Sequence, residues 1–91
     1  MAFSVQHDRS ARRFHTTVDG ADCELDYSLA ARVMTITHTG VPAAVGGRGI
    51  ASALVQAALD AARSEGWKVV PACSYAQQYI QRHPEVADLI A

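Results

Sequence analysis

The hydrophobic pattern of this chain changes period once, and the change falls on a cluster of glycines. Before Gly40, apolar and polar residues alternate at period 2; from Gly49 to Glu65 the apolar residues recur at helical spacing. A chain with that switch folds as strands first and a helix second, so all-helical and all-strand architectures are excluded. In Arg12–Val18, Phe14, Thr16 and Val18 share one face, and Arg13, His15 and Thr17 the other. Asp19-Gly20 suits a tight hairpin. Beyond it Cys23, Leu25, Tyr27 and Leu29 alternate with Glu24, Asp26 and Ser28. After Ala30-Ala31, simple alternation over Val33–Thr39 places Met34, Ile36 and His38 on one face and Val33, Thr35, Thr37 and Thr39 on the other. Three such strands with short connections predict an antiparallel meander.

Gly40 and Pro42 end the third strand, and Gly46, Gly47 and Gly49 precede the helical run GIASALVQAALDAARSE. Ile50, Leu54, Ala57, Ala58 and Ala61 share one side with Val55, Leu59 and Ala62 beside them, while Ser52, Gln56, Asp60 and Arg63 fall opposite. Gly66 is the expected helix stop. Trp67–Ala72 has the content of a fourth strand, and Pro71 forbids a ladder hydrogen bond near its end. Ser74 is positioned to N-cap a helix running to Gln81 or Arg82, and after Pro84 a last turn brings Val86, Leu89 and Ile90 onto the sheet. The expected fold is mixed α/β: an antiparallel meander, then a strand–helix–strand unit and C-terminal helices. Residues 1–11 are assigned to an N-terminal tail and 12–91 to the domain.

The 91 residues suffice for one core, since domains run to roughly 100–150 residues. With 49% hydrophobic and 19% charged residues the chain is globular, and a net charge of −1 leaves no basic footprint for nucleic acid. Two cysteines, Cys23 and Cys73, do not make a disulfide framework, and Met1–Ser10 lacks the basic and apolar regions of a secretory signal. No stretch reaches the ~18 apolar residues of a membrane span. These features lead us to expect a cytoplasmic protein that binds neither membrane nor nucleic acid. No set of Cys and His matches a zinc site.

Glycines at a helix N-terminus let backbone N–H groups converge on an anion, with the helix dipole adding to the attraction. A flexible turn explains the same glycines. The loop is not a P-loop, because no Gly-Lys-Ser/Thr follows. The segments HTGVP, GGRGIASALV and PACSYAQQYIQRHP, in that order, resemble a small, minimal branch of the GCN5-related N-acetyltransferases over about residues 12 to 91. The resemblance implies that the loop takes the pyrophosphate of acetyl-CoA. Its motif is Arg/Gln-x-x-Gly-x-Gly/Ala, in which Gly49 and Ala51 match and Gly46 replaces the Arg or Gln, with Arg48 near enough to offer a substitute charge. It further implies a gap between diverging strands, Ile36–Val41 and Trp67–Cys73, where backbone groups of Thr37–Val41 pair with pantetheine. The implied cofactor contacts are Thr39, Val41, Gly46, Gly47, Arg48, Gly49, Ile50 and Ala51. The helices that larger relatives place between their first two strands are missing, so the acceptor pocket is open or is completed by another subunit.

Acetyl transfer to an amine needs a base, a polarised carbonyl and a proton for the departing thiolate. His38 is a satisfied core histidine on the Met34–Ile36 face or a general base. Cys73 is a small buried hydrophobe, or a thiol at a strand's end and a helix N-terminus where thiolate is favoured. The resemblance matches both to the pair suspected of catalysis, with the thiol as nucleophile or as acid. Tyr75 polarises the carbonyl or protonates CoA, or is only a helix-face aromatic. Tyr79 and Cys23 are read as core, His83 as a polar cap, and Arg9, Arg12 and Arg13 as a solvated edge. The leading expectation is an acetyl-CoA-dependent N-acetyltransferase acting on a small-molecule or protein amine, as a monomer or weak homodimer. The alternative is a non-enzymatic acyl-CoA-binding or sensing module, which needs the loop and the gap but neither His38 nor Cys73.

Overall fold

The computed structural model describes residues 3–91. The two strongest alternating runs form β2 (Arg13–Val18) and β3 (Ala21–Ala30), joined at Asp19-Gly20, where both residues take positive φ (50° and 77°) as a two-residue hairpin of matching twist requires. A second two-residue hairpin leads into β4 (Val33–Gly40). Its corner residues, Ala31 and Arg32, also have positive φ without being glycine. Arg32 is held there by its own side chain, which donates to the carbonyls of Glu65 (3.0 Å) and Gly66 (3.4 Å). A cation at that helix end also meets the negative pole of the dipole.

The residues assigned to a tail contain one more strand, β1 (Gln6–Asp8), antiparallel to β2. Its three polar residues carry no hydrophobic alternation. What secures it is His7, whose ring stacks on Phe14 at 4.0 Å and whose Nε2 lies 2.7 Å from the Tyr27 hydroxyl. The neighbouring arginines are engaged too: Arg9 pairs with Glu65, Arg12 donates to the Leu29 carbonyl and Arg13 pairs with Asp26.

After a short 3₁₀ turn at Ala43–Val45 comes α1 (Ile50–Glu65), bounded by Gly49 and Gly66, both left-handed. It returns the chain to β5 (Lys68–Pro71), parallel to β4, completing a five-stranded sheet in sequence order. Helix α2 (Ser74–Arg82) packs against α1, β4 and β5. The N-cap residue of α2 is Cys73, one position earlier than Ser74 was expected to serve. A 3₁₀ segment at Pro84–Leu89 brings Ile90 beside Val69 as a parallel bridge.

The core forms where the predicted apolar faces meet. Phe14, Cys23, Leu25, Tyr27, Met34 and Ile36 from the sheet pack with Ile50, Leu54, Val55, Ala58, Leu59 and Ala62 of α1. Tyr79, Val86 and Leu89 close its end. Cys23 and Tyr79 are thus core residues, as their patterns predicted. The opposite face of the sheet, carrying Arg13, His15, Thr17, Glu24, Asp26 and Ser28, has no helix over it and none of these residues is buried. No helix among the described residues is long and apolar enough to cross a membrane.

Candidate functional site

Two local irregularities in β4 build the site. Tyr27 pairs with Ile36 but Asp26 pairs with His38, so Thr37 is the extra residue of a β-bulge, and its hydroxyl donates to the Asp26 carbonyl at 3.2 Å. A one-residue insertion moves every later side chain to the other face. His38 therefore leaves the Met34–Ile36 face on which alternation placed it. It stands exposed on the open face, with Nε2 3.1 Å from Glu24 Oε2. Thr39 takes the inward side instead, opposite buried Leu25.

The second irregularity is the end of the β4–β5 ladder. Parallel pairing runs from Val33–Lys68 to Ile36–Pro71 and stops. The amides of Ala72 and Cys73 both donate to the Ile36 carbonyl at 3.0 Å, and Pro71 has no N–H to give. Beyond Ile36, β4 stays paired with β3 through Gly40, but among the described residues no strand lies on its other edge. The two strands part there, and past the Thr39–Cys73 contact a gap opens between Val41 and Tyr75 at the start of α2.

Cys73 lies at this gap, partly buried, with Sγ 3.5 Å from Thr39 Oγ1. Burial opposes ionisation of the thiol. The Thr39 hydroxyl and the backbone N–H groups of Ala76, Tyr75 and Thr39 outweigh it, and Cys73 titrates below the ordinary thiol value. His38 and Cys73 do not meet: they project from opposite sides of β4, and the thiol's side-chain partner is Thr39.

Next to the gap, Val41, Gly46, Gly47, Gly49, Ile50, Ala51 and Tyr75 line a cleft of about 250 Å³. Gly47 and Gly49 have φ of 77° and 83°, and a Cβ at either would meet no atom within 4 Å, so these glycines are set by backbone conformation and leave the loop bare. The first helical amide bonded inside α1 is that of Ala53, to Gly49 O. The preceding N–H groups of the helix remain free for an anion. Arg48 does not line this cleft. Its guanidinium pairs with Asp19 at the β2–β3 hairpin. A larger depression of about 590 Å³ runs along Ser52, Gln56 and Asp60 to Tyr79, but neither His38 nor Cys73 borders it. His83 stacks on Tyr79 at 3.9 Å and caps α2, with Nδ1 2.8 Å from the Tyr79 carbonyl.

Of the expected site residues, the structure brings together Thr39 with Cys73, and Val41, Gly46, Gly47, Gly49, Ile50 and Ala51 with Tyr75. It separates Arg48 from them and moves His38 to the other face. Glu24, the partner of His38, was read only as the polar side of a strand, and nothing in its alternation distinguishes it from Asp26.

Residues 13–89 match the model of a family described as GCN5-related N-acetyltransferase. The chain is 39% identical over 83 residues to Protein NATD1 of Mus musculus, covering 88% of this chain and 76% of that protein. It is also 39% identical to Protein NATD1 of Homo sapiens, with 88% and 74% covered. In architecture it is similar to the NMR solution structure of a GCN5-like protein from Staphylococcus aureus. That match has a TM-score of 0.77 and 24% identity, with 98% of this chain and 88% of the other covered.

Proposed function

The chain belongs to the GCN5-related N-acetyltransferase family, and from that premise we propose that it moves an acetyl group from acetyl-CoA to an amine across the β4–β5 gap. The observation that carries the proposal is the gap itself: the end of the β4–β5 ladder, beside a bare glycine loop, with the Cys73 thiol against Thr39 at its mouth. The residues present fit the cofactor. Free amides at the start of α1 suit a pyrophosphate, and the edge at Thr39–Val41, which meets Cys73 only at Thr39, suits the amides of the pantetheine arm. Gly46 stands where the family motif has Arg or Gln, and Arg48 is engaged with Asp19, so anion binding falls to the backbone.

When bound, acetyl-CoA supplies an acetyl group activated as a thioester. Cys73 is the nucleophile, because a thiol drawn below its ordinary value presents more of the attacking thiolate at a given pH than an ordinary thiol does. Its sulfur forms the new C–S bond as the bond to CoA breaks, and Tyr75 on the cleft wall gives the departing thiolate its proton. An ammonium entering from the open face gives one proton to His38; the neutral amine, reaching through the gap, then forms the N–C bond as the C–S bond to Cys73 breaks, and its remaining proton restores Tyr75. The open face gives acceptors of different sizes access to His38, so the acceptor is an exposed amine on a small molecule or a protein. An acyl-CoA sensor would need the loop and the gap, but neither Cys73 nor His38.

Thermal melting with CoA and acetyl-CoA tests the cofactor assignment. At 100 times the Kd, binding stabilises the fold by about 2.7 kcal/mol. For a domain of this size that raises Tm by roughly 10–20 °C. No shift with either compound at millimolar concentration would overturn the proposal.

A further inference from the structure

We propose that Glu24 is a positioning residue for His38, fixing which imidazole nitrogen meets the acceptor amine; this rests on the acetyltransferase reading above. An ionised carboxylate can only accept a hydrogen bond. With Glu24 Oε2 at 3.1 Å from Nε2, that nitrogen carries the proton, and Nδ1 keeps the free lone pair that a base requires. The contact is prepared by three features of the backbone and its neighbours. The Thr37 bulge turns His38 onto the face that Glu24 occupies. Asp26, the register partner of His38, is withdrawn from competition because Arg13 holds both its oxygens, at 2.6 and 3.3 Å.

Gly40 is the third feature. It is the register partner of Glu24, and the two side chains close over it. A Cβ at position 40 would lie 2.1 Å from Glu24 Oε2 and 2.8 Å from His38 Nε2. Gly40 has no positive φ, and the atoms nearest a Cβ there are these two side-chain ends, so a side chain at position 40 would push Glu24 and His38 out of their present contact.

The test is a kinetic cycle on the full chain, with saturating acetyl-CoA and with spermidine, 2-phenylethylamine and a lysine-containing peptide as amine probes. Glu24→Gln is expected to lower kcat about tenfold with KM for acetyl-CoA unchanged, and His38→Ala to lower it by about 100-fold or more. Glu24→Gln added to His38→Ala is expected to cost nothing further. Gly40→Ala, which changes neither functional side chain but displaces their ends from each other, is expected to match Glu24→Gln. Wild-type kcat in Glu24→Gln, or an undiminished effect of that change in the His38→Ala background, would overturn the assignment. Imidazole ¹⁵N spectra with the ring neutral provide a readout that needs no acceptor. His38 is expected to carry its proton on Nε2 in the wild type and to relax toward the free-histidine mixture of tautomers in Glu24→Gln and Gly40→Ala. A wild-type ring already in that mixture would overturn the proposal. Wild-type protein that shows no thermal shift with acetyl-CoA would instead count against the acetyltransferase reading, independently of what the His38 spectra show.

Discussion

Replacing Thr39 with Val removes one hydroxyl from the wall of the gap and leaves the shape of the side chain. In the wild type that hydroxyl lies 3.5 Å from Cys73 Sγ and, once the sulfur is ionised, is its side-chain donor; the amides of Ala76, Tyr75 and Thr39 also donate. A hydrogen bond to a charged group contributes about 1.5–3 kcal/mol. The contact is long and three amides remain, so a loss of about 1 kcal/mol is expected, which lowers the thiolate population about fivefold. The assay is alkylation of Cys73 by iodoacetamide as a function of pH. Cys23 provides the internal control, because it is fully buried and burial pushes its thiol up. Since Thr39 favours the anion, its removal moves the reactivity curve toward higher pH: the variant reacts about fivefold more slowly at neutral pH, and the two proteins converge once both thiols are ionised. Equal rates at neutral pH would refute the role assigned to Thr39. A wild-type Cys73 that reacts only at the pH of an ordinary thiol would refute the activation altogether.

Gly49→Ala is expected to lower stability by about 1–2 kcal/mol, the cost of a left-handed conformation for a residue with a Cβ. Gly46→Ala, at φ −66° with an ordinary 3.4 Å contact to Ala43 O, is expected to be nearly neutral; equal melting temperatures for the two variants would contradict this. Arg48→Ala breaks an exposed pair with Asp19 and is expected to cost less than about 1 kcal/mol. It is also expected to leave the acetyl-CoA thermal shift in place, and loss of that shift would return Arg48 to the cofactor site.

The core face of the sheet and the whole of α1 were legible because burial there follows simple periods. Cys23, Leu25 and Tyr27 alternate inward, and Gly49 and Gly66 bracket the helix they were expected to bracket. The end of the β4–β5 ladder was legible from Pro71, whose missing N–H acts wherever the residue sits in a strand. The face of His38 was not legible. MTITHT alternates without interruption, and the bulge at Thr37 shows only in the pairing with Asp26 and Tyr27, a contact between strands. The same holds for Glu24, whose partner is 14 residues away, and for β1, which is secured by the ring of His7 on Phe14. Proximity in sequence suggests Arg48 for the loop, but Asp19, 29 residues away, engages its guanidinium. Local patterns located the strand and the loop; which side of β4 each reactive group occupies depended on a one-residue register shift.

The most direct measurement is the mass of the intact protein after rapid quenching with acetyl-CoA, alone and then chased with an amine. One acetyl group is expected on Cys73, removed by the amine and absent in Cys73→Ala, while Cys23 stays unmodified. Release of CoA and acetylation of the amine at full rate with no acetyl ever found on Cys73, or an equal rate in Cys73→Ala, would contradict transfer through that thiol.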